Sequence, residues 1–250
     1  MENTLDHIWE QLVRANFKVS TDTRKNVTGS IFFALKGDNF DGTTFAQTAL
    51  EKGALAVVTE DSLVVLQKLA RRYRDTFNIP IIAIGGSNGK TTTRELTKTV
   101  LATTYRTFAT EENLNNHIGL PLSIFSLDKS AEIAVFEIGA NHLGEHLELL
   151  KILNPTHVMV TNNGLDHLEG FGSIEGVQAA NQEIINWAKD HNAQIIEKLK
   201  GEFKITSPLP LSISFNNEIY KTQLVGNYNL ENIQLALGVG EKFGVKIEEA

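Results

Sequence analysis

One segment constrains the fold of this chain more than any other, because an apolar run is followed there by a glycine-rich loop and a helix-compatible stretch. The apolar run covers residues 79–84, the loop at 86–93 reads GSNGKTTT, and the helical stretch covers 92–101. Glycines let the backbone turn so that successive N–H groups face phosphate oxygens, a lysine adds positive charge, and a hydroxyl can ligate Mg²⁺. The segment therefore predicts a strand, a polyphosphate-binding loop and a helix within an α/β fold.

The loop departs in one detail from the general phosphate-binding pattern. That pattern, G-x-x-x-x-G-K-[ST], begins with a glycine, whereas Ile84 occupies the position here. The shortened loop indicates a subtype of nucleotide-binding domain, and the alternative is a plain connector between a strand and a helix. The residues predicted to bind the nucleotide are Gly86, Ser87, Asn88, Gly89, Lys90, Thr91 and Thr92.

Composition limits the remaining possibilities. The chain has 250 residues, of which 42% are hydrophobic, and a formal net charge of -7, so it can form one large or two modest domains. The acidic charge argues against a nucleic-acid partner, and the absence of cysteine excludes disulfides and thiolate chemistry. With no basic leader and no apolar run near about 18 residues, we expect a cytoplasmic monomer without a transmembrane segment.

Alternating strand and helix patterns divide the chain into two predicted α/β domains. Residues 1–78 show strand patterns at 31–35 and 55–58 and helical patterns at 5–15, 44–52 and 63–74. Residues 79–250 show strand patterns at 79–84, 105–109, 133–138 and 157–161, then short β segments at 203–225 and a last helix near 230–243. Short strands that are apolar on both faces favour a parallel sheet covered by helices on two sides.

Polar residues follow several of these strands, where open α/β sheets bind their ligands. Glu137 ends one strand and offers the kind of oxygen that Mg²⁺ prefers, and His167 lies in the polar loop after another strand. Asn116 belongs to an amide cluster before a helix, while Asn229 and Asn232 open the last helix. Each of these residues also has a purely structural alternative, as a helix cap, a turn residue or a structural histidine.

Together these motifs resemble the Mur ligase family, ATP-dependent enzymes that build the peptide stem of peptidoglycan. The resemblance covers essentially the whole chain, and its motifs are the short loop together with residues 21–24, 29–37, 41–42, 113–121, 137–145 and 167–173. Within the family, the motifs are most similar to the members that add D-alanyl-D-alanine to UDP-MurNAc-tripeptide.

The resemblance implies a domain organisation. A small N-terminal α/β domain at 1–78 would bind the UDP-sugar, and a P-loop-type central domain at 79–250, with a mostly parallel sheet, would bind ATP. The family's Rossmann-like C-terminal domain would begin after residue 250 and is expected to be absent from this chain.

The resemblance also implies a chemistry and a role for each site residue. With ATP and Mg²⁺, the substrate's terminal carboxylate would become an acyl phosphate, which the amine of D-alanyl-D-alanine would attack. The implied roles are the β- and γ-phosphates for Lys90, the first Mg²⁺ for Thr91 and Glu137, the second Mg²⁺ for His167, the transferring phosphate for Asn116, and adenine for Asn229 and Asn232. The residues implied to bind the UDP-sugar are Asp22, Thr23, Arg24, Lys36, Gly37 and Asp41.

The sequence departs from the family at position 181. The family has a lysine there whose carbamate supports the second metal, and this chain has Asn181. The helical spacing of Val177 and Ile184 places Asn181 on the inner face of a helix predicted over 174–187. A neutral amide lacks the anionic oxygen, so a loss of about 10–100-fold is expected rather than inactivity. In addition, the stretch at 190–203 is short for the family, which indicates a sheet trimmed at its edge.

Three functions stay open on these residues. The first is the D-alanyl-D-alanine-adding ligase. The second is a catalytically weakened module that binds the UDP-sugar and the nucleotide; Asn181 and the missing third domain favour it, whereas the intact Lys90, Thr91, Glu137 and His167 oppose it. The third is a related folylpolyglutamate synthase, which the UDP-sugar pattern in the first domain disfavours.

Overall fold

The chain forms two compact units in a computed structural model that describes residues 2–37, 40–111, 113–164, 171 and 173–250. The first unit comprises Met1–Asn78, Asn116–Lys129 and Lys151–Asn154, and the second comprises Ile79–Asn115, Ser130–Leu150 and Pro155–Ala250. The first unit therefore includes two segments from later in the chain.

Both units contain strands and helices in alternation. The helices are α1 (Glu2–Arg14), α2 (Ala46–Glu51), α3 (Ser62–Arg74), α4 (Lys90–Ala102), α5 (Gly119–Phe125), α6 (Glu145–Leu153), α7 (Ile174–Asp190) and α8 (Asn229–Lys242). The strands are β1 (Val19–Ser20), β2 (Ile31–Phe33), β3 (Lys36–Gly37), β4 (Phe40–Asp41), β5 (Ala56–Val58), β6 (Ile81–Gly85), β7 (Thr107–Ala109), β8 (Ile133–Glu137), β9 (His157–Val160), β10 (Gln194–Ile195), β11 (Lys204–Pro208), β12 (Leu211–Phe215) and β13 (Glu218–Lys221). The predicted α/β class is confirmed.

The first unit is organised around a parallel three-stranded sheet in the order β1-β2-β5. All three residues of β2 are buried, as expected for a central strand that is covered on both faces. Phe32 packs in a cluster with Val27, Ala34, Ala49 and Ala54. Strands β3 and β4 pair separately as an antiparallel hairpin.

Helix α3 holds the two later segments in the first unit. The ring of Tyr73 stacks on the ring of Phe125 in α5, with 5.5 Å between centroids. Arg74 is only 6% exposed and donates to the carbonyl oxygens of Leu153 (2.7 Å) and Asn154 (2.8 Å). These carbonyls satisfy a guanidinium that is taken out of water, and the burial lowers its pKa.

The second unit contains a five-stranded sheet in the order β10-β9-β6-β8-β7, and every pairing in it is parallel. Strands β6 and β8 are buried along their whole length. Helices α4 and α8 contribute to a core cluster with these strands, which includes Ile82, Ile84, Val100, Leu101, Leu235 and Val239. Because the strands run in one direction, the carboxyl ends of β6, β8 and β9 meet at the same edge of the sheet.

The rest of the second unit is a small antiparallel sheet in the order β11-β12-β13. It lies in the stretch 203–225, which the sequence predicts as short β segments. Leu211 and Ile213 of β12 pack against Ile233 of α8. Among the described residues, no helix has both the length and the apolar character needed to cross a bilayer.

Candidate functional site

The loop between β6 and α4 is built around two glycines in the left-handed conformation. The φ angle is 117° at Gly86 and 78° at Gly89. A Cβ on Gly86 would lie 2.3 Å from Oγ1 of Thr161, and a Cβ on Gly89 would lie 2.4 Å from Oδ1 of Asn232. Glycine is therefore required at both positions, for conformation and for space. The predicted succession of strand, glycine loop and helix is confirmed.

Lys90 opens α4 and places a positive charge beside this loop. Its Nζ donates to the carbonyl oxygens of Gly86 (2.8 Å) and Ser87 (2.6 Å). The N–H groups of a helix's first turn attract anions, and the helix dipole adds to this attraction. The loop, the N-terminus of α4 and the Lys90 ammonium together place positive charge at the carboxyl end of β6, which suits phosphate groups.

Glu137 ends β8 beside the loop and is held by side chains from two directions. Its Oε2 accepts from Oγ1 of Thr91 (3.0 Å), and its Oε1 accepts from Nδ2 of Asn115 (2.9 Å). A guanidinium nitrogen of Arg94 lies 3.4 Å from Oε2, and both members of this ion pair are almost completely buried. These contacts fix the direction of a carboxylate at the carboxyl edge of the sheet.

The pair of Thr91 and Glu137 fits a magnesium ion. A hydroxyl and a carboxylate oxygen converge within 3.0 Å, and Mg²⁺ typically takes one or two such protein oxygens together with water and phosphate oxygens. Among the described residues, no three histidine or acidic side chains converge into a metal-binding group. His167, the residue implied for a second Mg²⁺, lies outside the described residues.

Sequence reasoning missed Arg94 and Asn115. The sequence held a signal for Arg94, because its spacing of one helical turn from Lys90 puts it near the same face of α4, where a charged residue needs a partner. In the structure Arg94 is 1% exposed. Asn115 stands next to Asn116 in a run of asparagines, and the sequence does not distinguish which of them faces Glu137. The structure gives that contact to Asn115.

The side chain of Asn116 closes the turn before α5, whose N-cap is Ile118. Its Oδ1 accepts from the backbone N–H groups of Ile118 (3.1 Å) and Gly119 (2.9 Å), at the start of α5 in the first unit. This is the structural alternative that the amide cluster left open. Its implied place near the transferring phosphate stays a prediction.

The loop after β9 is bound tightly to the phosphate-binding loop. The carbonyl of Asn162 accepts from the N–H of Ser87 (3.0 Å). The side chain of Asn162 accepts from the N–H of Asn88 (3.1 Å) and donates to the carbonyl of Asn88 (3.0 Å). A Cβ on Gly164 would lie 2.5 Å from Nδ2 of Asn88. Sequence reasoning did not single out Asn162, since 74 residues separate it from Asn88.

Asn181 faces this same loop from α7. Its side chain is buried, as the predicted inner face of the helix requires, and so are Val177 and Ile184. Its Nδ2 donates to the carbonyl of Asn162 (3.2 Å) and to Oδ1 of Asn163 (2.8 Å).

Asn229 and Asn232 connect α8 to α4. Oδ1 of Asn232 accepts from Oγ1 of Thr93 (3.2 Å), and its Nδ2 donates to Oδ1 of Asn229 (2.9 Å). Asn229 in turn donates to the carbonyl of Val225 (2.9 Å). Both amides are buried and position α8 against Gly89; the adenine contact that the resemblance implies for them stays a prediction.

Two further titratable groups in the second unit are the buried His146 and the partly buried Glu183. Nδ1 of His146 lies 3.0 Å from the carbonyl of Ala180, so Nδ1 carries the proton and Nε2 is an acceptor. Burial lowers the pKa of His146 and keeps the ring neutral. Glu183 accepts from the N–H of Gly144 (2.7 Å), and burial raises its pKa. Neither residue stood out in the sequence, since each lies on an ordinary helical face.

The first unit contains a cavity of about 620 Å³. It is lined by Thr21, Asp22, Thr23, Arg24, Phe32, Leu35, Lys36, Gly37, Phe40, Phe45 and Ile118. Five of the six residues implied to bind the UDP-sugar are in this lining, and the sixth, Asp41, lies 3.8 Å from Nζ of Lys36. The hydrogen bond from Arg24 lowers the pKa of Asp22 to about 2. The stacked rings of Phe40 and Phe45, 6.0 Å apart, were not foreseen.

Two family models match the chain in succession. A model described as "Mur ligase family, catalytic domain" matches residues 18–83, and one described as "Mur ligase middle domain" matches residues 84–205.

Curated relatives are about one-third identical to the chain over the aligned residues. The UDP-N-acetylmuramoyl-tripeptide--D-alanyl-D-alanine ligase of Bacillus subtilis is 32% identical over 273 residues, which cover 93% of this chain and 60% of that protein. The Haemophilus influenzae protein of the same name is 37% identical over 197 residues, which cover 72% of this chain and 43% of that protein. The chain thus spans about three-fifths of the length of the Bacillus relative.

Solved structures agree with the sequence relatives. MurF from Acinetobacter baumannii superposes with a TM-score of 0.82 at 25% identity, covering 96% of this chain and 66% of that one. MurF from Thermotoga maritima, solved in complex with ADP, gives a TM-score of 0.74 at 27% identity, covering 94% and 65%.

Proposed function

Because the chain belongs to the Mur ligase family, we propose that it carries out an ATP-dependent amide-bond ligation in peptidoglycan synthesis. In that reaction D-alanyl-D-alanine is added to UDP-MurNAc-tripeptide. The observation that carries the proposal is the convergence of Lys90, Thr91 and Glu137 around the glycine loop, at the carboxyl edge of a parallel sheet.

In this proposal the second unit binds ATP. Lys90 and the N-terminus of α4 neutralise the phosphates, and the two left-handed glycines let the backbone approach them. Thr91 and Glu137 hold Mg²⁺, which when bound offsets the negative charge of the phosphates. The ADP complex of the Thermotoga relative supports a nucleotide as the ligand.

The first unit binds the UDP-MurNAc-peptide in its cavity of about 620 Å³. Lys36 and Arg24 supply positive charge for the diphosphate, and the exposed ring of Phe40 offers an apolar face to a base or a sugar. Asp22 stays ionised and fixes the Arg24 guanidinium through contacts of 2.8–3.1 Å.

The proposed reaction has two steps. An oxygen of the substrate's terminal carboxylate attacks the γ-phosphorus of ATP, ADP leaves, and an acyl phosphate forms. The amine of D-alanyl-D-alanine then attacks the acyl carbon, and inorganic phosphate leaves as the amide bond is completed. Lys90, Thr91 and Glu137 serve the first step mainly by positioning phosphates and neutralising charge, which is what phosphoryl transfer requires.

The proposal is tested by a phosphate-release assay with mass spectrometry of the product. We expect phosphate to appear only when ATP, UDP-MurNAc-tripeptide and D-alanyl-D-alanine are all present, together with the corresponding UDP-MurNAc-pentapeptide. Binding of both ADP and UDP-MurNAc-tripeptide without any pentapeptide would contradict the ligase and support the second candidate, a binding module. The amide at position 181 is the observation that favours this second candidate.

A further inference from the structure

Asn181 contacts the loop after β9, which in turn holds the phosphate-binding loop. Both hydrogens of its Nδ2 are directed at acceptors, the carbonyl of Asn162 at 3.2 Å and Oδ1 of Asn163 at 2.8 Å. The residue is 5% exposed. An amide whose nitrogen donates in this way holds backbone and side chain in place, because breaking the contacts would leave the buried amide of Asn181 unpaired.

The contacts of Asn162 carry this restraint onward to the loop. Its carbonyl, which accepts from Asn181, also accepts from the N–H of Ser87. Its side chain forms two further hydrogen bonds, to the N–H and the carbonyl of Asn88. One residue thus joins α7 on one side to two consecutive residues of the phosphate-binding loop on the other.

The packing around these bonds leaves little freedom for alternative arrangements. A Cβ on Gly85 would lie 2.2 Å from Cδ1 of Ile184, which is one turn after Asn181 on α7. A Cβ on Gly86 would lie 2.3 Å from Oγ1 of Thr161. Helix α7, the loop after β9 and the phosphate-binding loop are therefore in direct contact, and a shift of one moves the others.

We propose that Asn181 is a positioning residue that holds the phosphate-binding loop in its nucleotide-binding shape through Asn162 and Asn163. The inference rests on the proposed binding of ATP by this loop. It gives position 181 a role in this chain that differs from carrying a carbamate. Nucleotide affinity then depends on the amide donors of Asn181 and not on bicarbonate.

The test combines calorimetric titration with ADP and amide hydrogen exchange at Ser87 and Asn88. Asn181→Leu removes both donors at similar size without adding charge. We expect ADP to bind about 10-fold or more weakly and both amides, which Asn162 holds, to exchange faster. Asn186→Leu is the matched control, because Asn186 is exposed on the same helix; it should change neither quantity by more than about 2-fold.

Two further variants keep the inference testable if Asn181→Leu does not fold. Asn163→Ala, at an exposed side chain, removes one acceptor of Asn181 and should give a smaller change in the same direction. Asn181→Lys should weaken ADP binding with or without bicarbonate, whereas tighter binding in bicarbonate would overturn the inference.

The outcomes separate this inference from the proposed function. If the unaltered protein does not bind ADP, the proposed function fails, while the exchange rates at Ser87 and Asn88 still decide whether Asn181 holds the loop. If the unaltered protein binds ADP and Asn181→Leu binds it equally well, with unchanged exchange, the positioning role is wrong and the proposed function stands.

Discussion

At the scale of single residues, Glu137 joins structural and chemical demands in one carboxylate. It faces the hydroxyl of Thr91, the amide of Asn115 and the buried guanidinium of Arg94. The negative charge that would hold Mg²⁺ therefore also pairs with a buried cation, which has the exposed Glu95 as a second partner at 2.7 Å. A change at Glu137 should affect both stability and metal-dependent binding.

Glu137→Gln tests whether this carboxylate supports both the stability of the fold and the Mg²⁺ dependence of ATP binding. Arg94 would lose its buried counter-charge and keep only the exposed Glu95 as a partner, so we expect the free energy of unfolding to fall by about 1–3 kcal/mol and Mg²⁺ to lose its effect on ATP affinity. Denaturant unfolding and titration of ATP with and without Mg²⁺ measure the two. The control is Glu132→Gln, whose partner Arg106 is exposed and whose loss should cost under about 1 kcal/mol. Equal effects of both variants would contradict the role assigned to Glu137.

Gly86→Ala tests the packing of the phosphate-binding loop. Its φ of 117° disfavours any side chain, and the new methyl group would meet Thr161, so we expect a loss of about 2–4 kcal/mol in unfolding free energy together with loss of ADP binding. Gly29→Ala is the control, with φ of 72° and open space around its Cβ; strain alone should cost about 1–2 kcal/mol there. A smaller cost at Gly86 than at Gly29 would show that the loop relaxes easily.

At the scale of elements, β9 begins with a histidine that the sheet keeps uncharged. His157 is 7% exposed, and its ring lies 5.0 Å from the ring of Phe243. Burial, with a smaller effect of Lys242, lowers its pKa from 6.5 to about 4. The strand is therefore built for the neutral imidazole, and a charged imidazole opposes the packing of this edge of the sheet.

Acidification should consequently weaken the fold over a defined range. The unfolded chain takes up a proton on His157 near pH 6.5, whereas the folded chain does so only near pH 4, so stability is complete above pH 6.5 and is lost progressively as the pH falls to 4. The loss is at most about 3 kcal/mol, and buried His146 adds in the same direction. Urea unfolding at several pH values should show that the free energy of unfolding depends less on pH for His157→Gln than for the unaltered protein. The same pH dependence in both proteins would refute the assignment.

The longer elements were predictable from the sequence, whereas the short strands β1, β3, β4 and β10 and the long-range contacts were not. Apolar periodicity located β6, β8, β9 and α7, and the glycine loop indicated where a ligand binds. The hydrogen bond between Asn162 and Asn88, and that between Arg74 and the carbonyl of Leu153, have no pattern in the local sequence that would predict them. Such contacts depend on tertiary packing, which brings together residues that are distant in sequence.

At the scale of the whole molecule, the sites proposed for ATP and for UDP-MurNAc-tripeptide each lie within a single unit. Lys36→Ala should therefore weaken UDP-MurNAc-tripeptide binding by about 10-fold and leave ADP binding unchanged, because Lys36 lines the first unit's cavity. Lys90→Ala should do the reverse. Titration of both variants with both ligands gives the comparison, and a variant that lost both ligands while staying folded would contradict the assignment of one substrate to each unit.

The division into units has a consequence for recombining this protein with its relatives. The backbone passes from one unit to the other five times, after Asn78, Asn115, Lys129, Leu150 and Asn154. A chimera joined at residue 78 would thus exchange α3 without exchanging the segments on which Tyr73 and Arg74 depend. The three segments of the first unit, 1–78, 116–129 and 151–154, must come from the same parent protein if their contacts are to be kept. Natural or engineered crossovers that preserve the fold are therefore expected to exchange nearly the whole of residues 1–154 at once.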